Sequence, residues 1–81
     1  MQTPIEMGYQ DLANAIVVQA AEDYRNALKG ISYNHYSSEI IIKTLEKFFK
    51  SGYFKILTNV SGDYIIYKLK EEHRQKIYKE V

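Results

Sequence analysis

Apolar residues recur at helical spacing in the first third of the chain. They follow one another at steps of three and four, so that they share one face of a helix. The residues of this stripe are Leu12, Ile16, Ala20, Tyr24 and Ala27, with Ala13, Val17 and Leu28 beside them. Asp11 near the start and Lys29 near the end match the helix dipole, and Gly30 is a typical C-terminal stop. The pattern predicts a helix over residues 11–29, and residues 1–8 before it are expected to form a flexible arm.

A second helical pattern follows the polar and aromatic stretch of residues 31–36, which is expected to be a loop. Ser37 or Ser38 can cap this helix, and Glu39 then lies in the first turn, where a negative charge is favoured. The apolar face of the helix is formed by Ile41, Ile42, Leu45, Phe48 and Phe49. The pattern predicts that this second helix ends at residues 50–51.

The segment SGYFKILTNVSGDYIIYKLKEE, residues 51–72, allows two interpretations. In the first, it forms a β-hairpin with Ser61, Gly62 and Asp63 in the turn. The alternating residues of the two strands would be Phe54, Ile56 and Thr58 on one and Ile65, Tyr67 and Leu69 on the other. β-Branched and aromatic residues are enriched in strands, which keeps this interpretation open.

In the second interpretation, the same segment forms helices that begin at its serines. Ser51 starts a short helical turn with Phe54 and Leu57 on its inner side. Ser61 or Asp63 then caps a last helix. Helical steps connect Ile65, Ile66, Leu69, His73 and Ile77. The charged run KLKEEHRQKIYKE has no strand-like alternation and continues the segment without a breaker, which favours the helices.

The chain of 81 residues is expected to form a single domain, residues 1–81, because so short a chain encloses only one core. Its composition, 46% hydrophobic and 26% charged, is typical of a folded protein rather than of a disordered tail. We predict an all-α fold, a compact bundle of three main helices with a short extra helical turn. The alternative is an α+β fold with a C-terminal β-hairpin.

The sequence offers few groups for catalysis or metal binding. The chain has no cysteine, which excludes disulfides and thiolate metal sites. His35 and His73 are far apart, and neither belongs to a paired ligand motif. Adjacent carboxylates such as Glu71 and Glu72 diverge on a helix, and Glu72 is placed to pair with Lys76 one turn later. Glycine motifs that bind phosphate are missing from the sequence. We therefore expect a protein that is not an enzyme and binds neither cofactor nor metal.

The sequence also gives an expectation for the location of the protein. It contains no run of roughly 18 apolar residues, the length needed to cross a membrane. Its N-terminal stretch lacks the basic start and apolar run of a signal peptide. We expect a cytoplasmic protein that does not contact membranes.

Charge is unevenly distributed along the chain, which raises the question of nucleic-acid binding. Residues 1–40 carry a net charge of −3 and residues 41–81 a net charge of +4. The lysines that would contact phosphates are Lys43, Lys47, Lys50 and Lys55. Exposed tyrosines such as Tyr53 would stack on bases. Against this hypothesis, the total charge is only +1 and lysines on a solvated helix face need no function. A nucleic-acid-binding accessory protein is therefore the second hypothesis.

Tyrosine is unusually frequent, with eight residues and no tryptophan. A tyrosine combines an apolar ring with a polar tip, which suits both the boundary of a small core and protein interfaces. Packing at the core boundary is the interpretation for Tyr24 and Tyr64. One small core cannot hold all eight rings, so some are expected on a surface that binds a protein partner or a second copy of the chain. The predicted partner-binding residues are Tyr33, Tyr36, Tyr53 and Tyr67.

Two segments stand out together, the Ala-rich LANAIVVQAAEDYRNALKG and then EKFFKSGYFKILTNVSGDYIIYKLKEE. The second contains an F-F-x-S-x-aromatic-F element and an L-T-x-x-x-G-x-Tyr element. In this order the chain, from Leu12 to Glu72, resembles small uncharacterised proteins encoded by phages and integrated mobile elements of Gram-positive bacteria. The resemblance implies a mobile-element origin and a compact helical fold, and it brings no catalytic residue with it. We therefore expect a protein-binding function, with a host or phage factor as target and inhibition of a host defence system as one version.

Overall fold

The computed structural model describes residues 8–31 and 36–80 of the chain, with side chains described up to residue 76. Its elements are α1 (Tyr9–Leu28), α2 (Ser38–Phe49), α3 (Gly52–Leu57) and α4 (Gly62–Glu80). The predicted all-α bundle of three main helices and a short extra turn is confirmed, and α3 is the extra turn. The alternative hairpin is wrong, because residues 54–69 are divided between α3, a short connection and α4. No helix within the described ranges is long and apolar enough to cross a membrane.

Helix α1 starts after Gly8 and ends in a glycine turn. Gly8 has extended backbone, and the rest of the predicted flexible arm, residues 1–7, lies outside the described residues. At the other end, Gly30 has a φ of 86°, a conformation that side chains disfavour. Its N–H donates to the carbonyl of Ala27 at 2.9 Å, and the next N–H donates to the carbonyl of Asn26 at 3.0 Å. These two bonds form a Schellman motif, so that Gly30 is the predicted stop of the helix.

Three serines begin the other three helices. In each case the serine Oγ accepts a hydrogen bond from the N–H three residues later, which satisfies one of the donors that the first helical turn leaves without a partner. The bonds run from Ile40 to Ser37, from Phe54 to Ser51 and from Tyr64 to Ser61, with lengths of 3.3, 3.1 and 3.3 Å. Ser51 also donates its hydroxyl to the carbonyl of Phe48 at 2.7 Å. The two Ser-Gly pairs of the sequence are therefore two helix starts.

Three aromatic side chains form the centre of the core. Tyr24 of α1, Phe49 of α2 and Phe54 of α3 are each at most 1% exposed. Their rings meet edge to face, with centroids 5.9 Å apart for Tyr24 and Phe49 and 5.5 Å apart for Phe49 and Phe54. Aromatic pairs prefer this arrangement because the positive ring edge meets the negative ring face. Ile66 and Leu69 bring α4 into the same cluster.

The buried face of α1 is narrower than the sequence predicts. Its fully buried residues are Ala13, Ala20, Tyr24 and Ala27. Leu12 is 53% exposed, and Val17 and Leu28 are only partly covered. The expected boundary packing of Tyr64 is also wrong, because this side chain is exposed on α4. Most of the buried positions on α1 are alanines.

A charge-assisted contact ties three helices together at Tyr24. The Tyr24 hydroxyl donates to Oε2 of Glu46 at 2.6 Å, and Nζ of Lys70 lies 3.4 Å from the same oxygen. Burial, followed by the hydrogen bond to the Glu46 carboxylate, raises the pKa of Tyr24. The same hydrogen bond, helped by Lys70, lowers the pKa of Glu46 against the opposing effect of burial. Helices α1, α2 and α4 therefore meet at one carboxylate.

A second polar contact joins α1 to α4. Nε of Arg25 donates to Oε2 of Glu72 at 2.9 Å, and the same guanidinium also pairs with Glu22. The sequence predicts a pair between Glu72 and Lys76 instead. In the structure the hydrogen bond from Arg25 is the main cause of the lowered pKa of Glu72, and Lys76 adds only a weaker attraction. The planar guanidinium reaches two carboxylates at once, which a flexible ammonium group does less well.

Glycine at position 62 is required by the close approach of α4 to α2. A methyl group on Gly62 would lie 1.7 Å from the carbonyl oxygen of Phe49 and 2.6 Å from the carbonyl carbon. These are backbone atoms, which cannot rotate away, so any side chain would push the two helices apart. At Gly52, the first residue of α3, the same methyl group would meet open space.

We expect the substitution Gly62→Ala to lower the free energy of unfolding by about 3 kcal/mol, the range of a badly overpacked site. Urea unfolding followed by circular dichroism measures this change. The matched control is Gly52→Ala, which adds the same methyl group in open space and is expected to be neutral or to stabilise by up to about 1 kcal/mol. Equal unfolding midpoints for the two variants would contradict the close contact.

We expect Tyr24→Phe to lower the free energy of unfolding by about 2 kcal/mol, because the partly buried Glu46 carboxylate loses a short hydrogen bond from the buried phenol. Urea unfolding again provides the measurement. Tyr67→Phe removes the same hydroxyl from an exposed ring and should change stability by less than about 0.5 kcal/mol. A loss as small for Tyr24→Phe as for Tyr67→Phe would show that the hydroxyl contributes nothing.

Stability should also depend on pH through Glu46. Its pKa is lower in the folded than in the unfolded state, so its contribution is fully present above the unfolded pKa of about 4.3 and is lost as the pH falls through the folded pKa. We expect the free energy of unfolding to fall between about pH 5 and about pH 3, and to fall less in Glu46→Gln. Urea unfolding across this range tests the difference, with Glu39→Gln on the exposed start of α2 as control. If the free energy of unfolding falls with pH as steeply in Glu46→Gln as in the unchanged chain, Glu46 is not the cause of the pH dependence.

Candidate functional site

A groove runs between α1 and α2. Ile16, early in α1, and Phe48, late in α2, line one end of it. Ile40, early in α2, lines the other end, and Asp23, later in α1 than Ile16, lies between the two ends, so that the two helices are antiparallel along the groove. The lining residues are Ala15, Ile16, Gln19, Ala20 and Asp23 on the α1 side and Tyr36, Ile40, Ile41, Thr44, Leu45 and Phe48 on the α2 side. We call this surface the α1–α2 groove.

The α1–α2 groove has two compartments. The first has a volume of about 520 Å³ and ends at Ile16 and Phe48. The second has a volume of about 420 Å³ and ends at Tyr36 and Ile40. The residues that line both compartments are Asp23, Thr44 and Leu45. Each volume lies within the range of about 300–1,000 Å³ that is usual for ligand sites in proteins.

The local sequence explains why the groove is apolar. Successive residues of a helix point about 100° apart, so that the three consecutive isoleucines of α2 cannot all face the core. Ile42 packs against the core, Ile41 is half-buried in the groove, and Ile40 is 51% exposed at its edge. On the opposite wall, Ala15 and Ala20 have small side chains, which leaves room between the helices.

Asp23 gives the groove its charge. Among the described residues that line the groove, it alone carries a charged side chain. Its Oδ1 accepts a hydrogen bond from Nε2 of Gln19 at 2.9 Å, one helical turn earlier. The carboxylate lies where the two compartments meet, so a ligand in either compartment would lie beside a negative charge.

The four tyrosines predicted to bind a partner do not form one surface. Tyr36 is 59% exposed and lines the second compartment of the groove. Tyr53 is exposed at the start of α3, and its ring lies 6.2 Å from the ring of Phe48, which lines the first compartment. Tyr67 is exposed on α4, a helix that contributes no residue to the described lining of the groove. Tyr33 lies outside the described residues.

The four lysines of the nucleic-acid hypothesis are all exposed. Lys43 and Lys47 lie one turn apart on α2, away from the groove. Lys50 and Lys55 border a separate cavity of about 460 Å³ at the start of α4, where Asp63 lies beside them. The negative charge of Asp63 weakens the positive potential at this cavity. Among the described cavities, it is the one that two of the four lysines border.

The described part of the chain shows no arrangement of side chains typical of catalysis or metal binding. No group of three or more His, Cys, Asp or Glu side chains within it could hold a metal ion. His73 is half-buried, and three cationic residues, Arg25, Lys29 and Lys76, line the small gap beside it. His35 lies outside the described residues. The α1–α2 groove is therefore the best candidate for a functional site.

Sequence reasoning missed several residues of this groove. The apolar stripe predicts Ile16 on the core face of α1, whereas in the structure it is half-buried and lines the groove. The run of isoleucines at residues 40–42 contained the missing signal, since a helix cannot turn three consecutive residues toward one core. The position of Asp23 has no such signal, because it depends on which flank of α1 lies beside α2.

Comparison with known proteins adds no relative to this description. No family model, no curated protein and no solved structure matches the chain. The resemblance to proteins of phages and mobile elements therefore stays a prediction, and the function has to be inferred from the groove and its chemistry.

Proposed function

We propose that the protein is a small protein-binding module and that its binding site is the α1–α2 groove. The observation that carries this proposal is an apolar groove with two compartments whose edge holds two large exposed side chains. Tyr36 and Ile40, which line the second compartment, are 59% and 51% exposed. Contiguous apolar surface of this kind is costly in water and typically marks a site that a partner covers.

Tyrosine at the edge of the groove supports a protein partner. Its ring offers a large apolar surface that loses little conformational entropy on binding, and its hydroxyl keeps a hydrogen bond at the boundary with water. Tyr36 lines one end of the groove and Tyr53 contacts Phe48 near the other. Two such residues at opposite ends resemble the aromatic anchors of protein interfaces more than the closed pocket of an enzyme.

The resemblance noted in the sequence supports a more specific version of this proposal. A module of phage or mobile-element origin would bind a host or phage factor, and a component of a defence system is one such target. In that version the groove holds a segment of the target and thereby blocks or changes its activity.

Nucleic-acid binding remains the second candidate, and its support is weaker. Lys43 and Lys47 are exposed on α2, and Lys50 is exposed directly after its end, as a phosphate-binding face requires. Asp63 lies beside Lys50 and Lys55, however, and the whole chain carries a charge of only +1.

The substitution Thr44→Arg tests the proposed site. Thr44 is exposed and lines both compartments, so a long cationic side chain there fills the groove without entering the core. The unchanged chain is immobilised and captures its partners from host extract. We expect immobilised Thr44→Arg to retain at least about tenfold less of these proteins, because the new side chain blocks the centre of the interface. Quantitative mass spectrometry of the retained proteins measures the difference.

The matched control is Gln75→Arg, which adds the same side chain to an exposed position on α4, away from the groove. Circular dichroism should show that both variants are folded. A set of retained proteins that is the same for Thr44→Arg and Gln75→Arg would contradict the groove as binding site. A DNA gel shift at low salt that disappears when Lys43, Lys47 and Lys50 are changed to Glu would instead favour the second candidate.

A further inference from the structure

We propose that the protein has a second interaction surface, formed by α2 and α4, and that this surface binds a short acidic segment of a partner protein. The inference goes beyond the proposed function, because the surface is separate from the α1–α2 groove. Five cations and one tyrosine form it, namely Lys43, Lys47 and Lys50 from α2 and its C-terminal end and Tyr67, Lys70 and Arg74 from α4. We call this surface the α2–α4 face.

Two contacts determine how α2 and α4 lie against each other. Phe49 at the end of α2 lies against Gly62 at the start of α4. Glu46, one turn earlier on α2, is 3.4 Å from Nζ of Lys70, two turns further along α4. The two helices are therefore antiparallel, and the side of α2 that carries Glu46 borders the side of α4 that carries Lys70.

Lysines surround Glu46 on α2. Residues three or four positions apart lie on the same side of a helix. Lys43 lies three positions before Glu46 and Lys50 four positions after it, and Lys47 is within one turn of both lysines. All three lysines are exposed, and they extend over about 10 Å of the helix axis at about 1.5 Å per residue. Three cations therefore line the edge of α2 that borders α4.

The facing edge of α4 carries the other three side chains. Tyr67 lies three positions before Lys70 and Arg74 four positions after it, so that all three share one side of the helix. All three are exposed. The ring of Tyr67 adds an apolar contact beside the charges, and an aromatic ring that excludes water strengthens the ion pairs next to it. We therefore expect an apolar residue beside the carboxylates of the bound segment.

The carboxylates at the centre of the α2–α4 face are already engaged. Glu46 accepts the hydrogen bond of the Tyr24 hydroxyl and pairs with Lys70, and Glu71 pairs with Arg74. Lys43 and Lys47 form no ion pair with a carboxylate of the residues that the structure describes. Positive charge that the chain itself does not neutralise therefore lies along α2, where the carboxylates of a partner would complement it.

The ends of the face favour a short acidic segment over nucleic acid. Glu39 lies one turn before Lys43, and Asp63 borders the same cavity as Lys50. A nucleic-acid strand carries one charge about every 3.4 Å and continues past both ends, where these carboxylates repel it. The total charge of +1 also provides little long-range attraction for a polyanion. A segment with two or three carboxylates within about 10 Å reaches the lysines and meets neither end.

A displayed library of random peptides tests the inference. The peptides have about 12 residues, enough to span the face as a helix or as an extended chain. They are selected on the unchanged protein and, in parallel, on the double variant Lys43→Gln, Lys47→Gln. We expect peptides that bind only the unchanged protein and are enriched in Asp and Glu next to a large apolar residue. Fluorescence anisotropy of the best peptide should show at least about tenfold weaker binding to the double variant.

The matched control is the double variant Lys68→Gln, Lys76→Gln. It removes the same charge from exposed positions of α4 that line gaps on the side of Arg25, away from α2. We expect it to change the affinity by less than about twofold, because salt screens charges at this distance. Circular dichroism should show that both double variants are folded. Equal losses of affinity in the two double variants would overturn the proposed surface.

The peptide itself provides a second control. When its Asp and Glu residues are replaced by Asn and Gln, the variant Lys43→Gln, Lys47→Gln should have no further effect, since the charges act as pairs. Tyr67→Ser should weaken the original peptide about tenfold, and an unchanged affinity would overturn the apolar contact. Thr44→Arg fills the groove and should leave the affinity of this peptide unchanged.

Four outcomes would overturn the inference. The first is that no selected peptide depends on Lys43 and Lys47, or that the dependent peptides lack Asp and Glu. The second is a DNA duplex that binds more tightly than the best peptide in about 0.15 M salt and is lost in the lysine double variant, since the occupant is then nucleic acid. The third is a dimer in light scattering that this variant dissociates. The fourth is loss of the peptide in Thr44→Arg, which places it in the groove.

Discussion

Burial of the Tyr24 side chain is the interaction on which the rest of the structure depends. A phenol that loses contact with water must keep its hydroxyl hydrogen-bonded, and Glu46 supplies the acceptor. Phe49 packs against the same ring, and Lys70 brings α4 to the same carboxylate. One side chain thus sets how three helices lie against each other. Ala20, one turn earlier on α1, is buried in the same core cluster and also lines the groove, which therefore lies directly beside this contact.

The helix boundaries could be predicted from the sequence because they depend on local contacts. Each capping serine needs only the N–H three residues later, and Gly30 needs only its own backbone conformation. The extent of burial could not be predicted in the same way. Leu12 is as apolar as the core residues and is still exposed, because periodicity defines a helix face and the neighbouring helices define its width. Glu72 takes its partner from α1 rather than from its own helix for the same reason.

The candidate site was predicted in part. Tyr36 and Tyr53 were selected because too many tyrosines are present for one core, and both lie in or beside the groove. The same argument applies to Tyr67, which is exposed but lies on α4, away from the groove. The number of tyrosines predicts that some rings are exposed, and it does not predict where on the surface they lie. Asp23, which gives the groove its charge, could not be distinguished from any other acidic residue of a solvated helix. Its role follows only from the way in which α2 lies along α1.

The contact between Gly62 and Phe49 has a consequence for the order of folding. The two residues are only about a dozen positions apart, so that closing the chain around α3 costs little conformational entropy. The end of α2, α3 and the start of α4 thereby form a compact local unit with Phe54 packed inside it. Helix α1 joins this unit through contacts of much longer sequence separation, such as that of Arg25 with Glu72. Since short loops close before long ones, we expect the nucleus of folding in the second half of the chain, with α1 docking onto it afterwards.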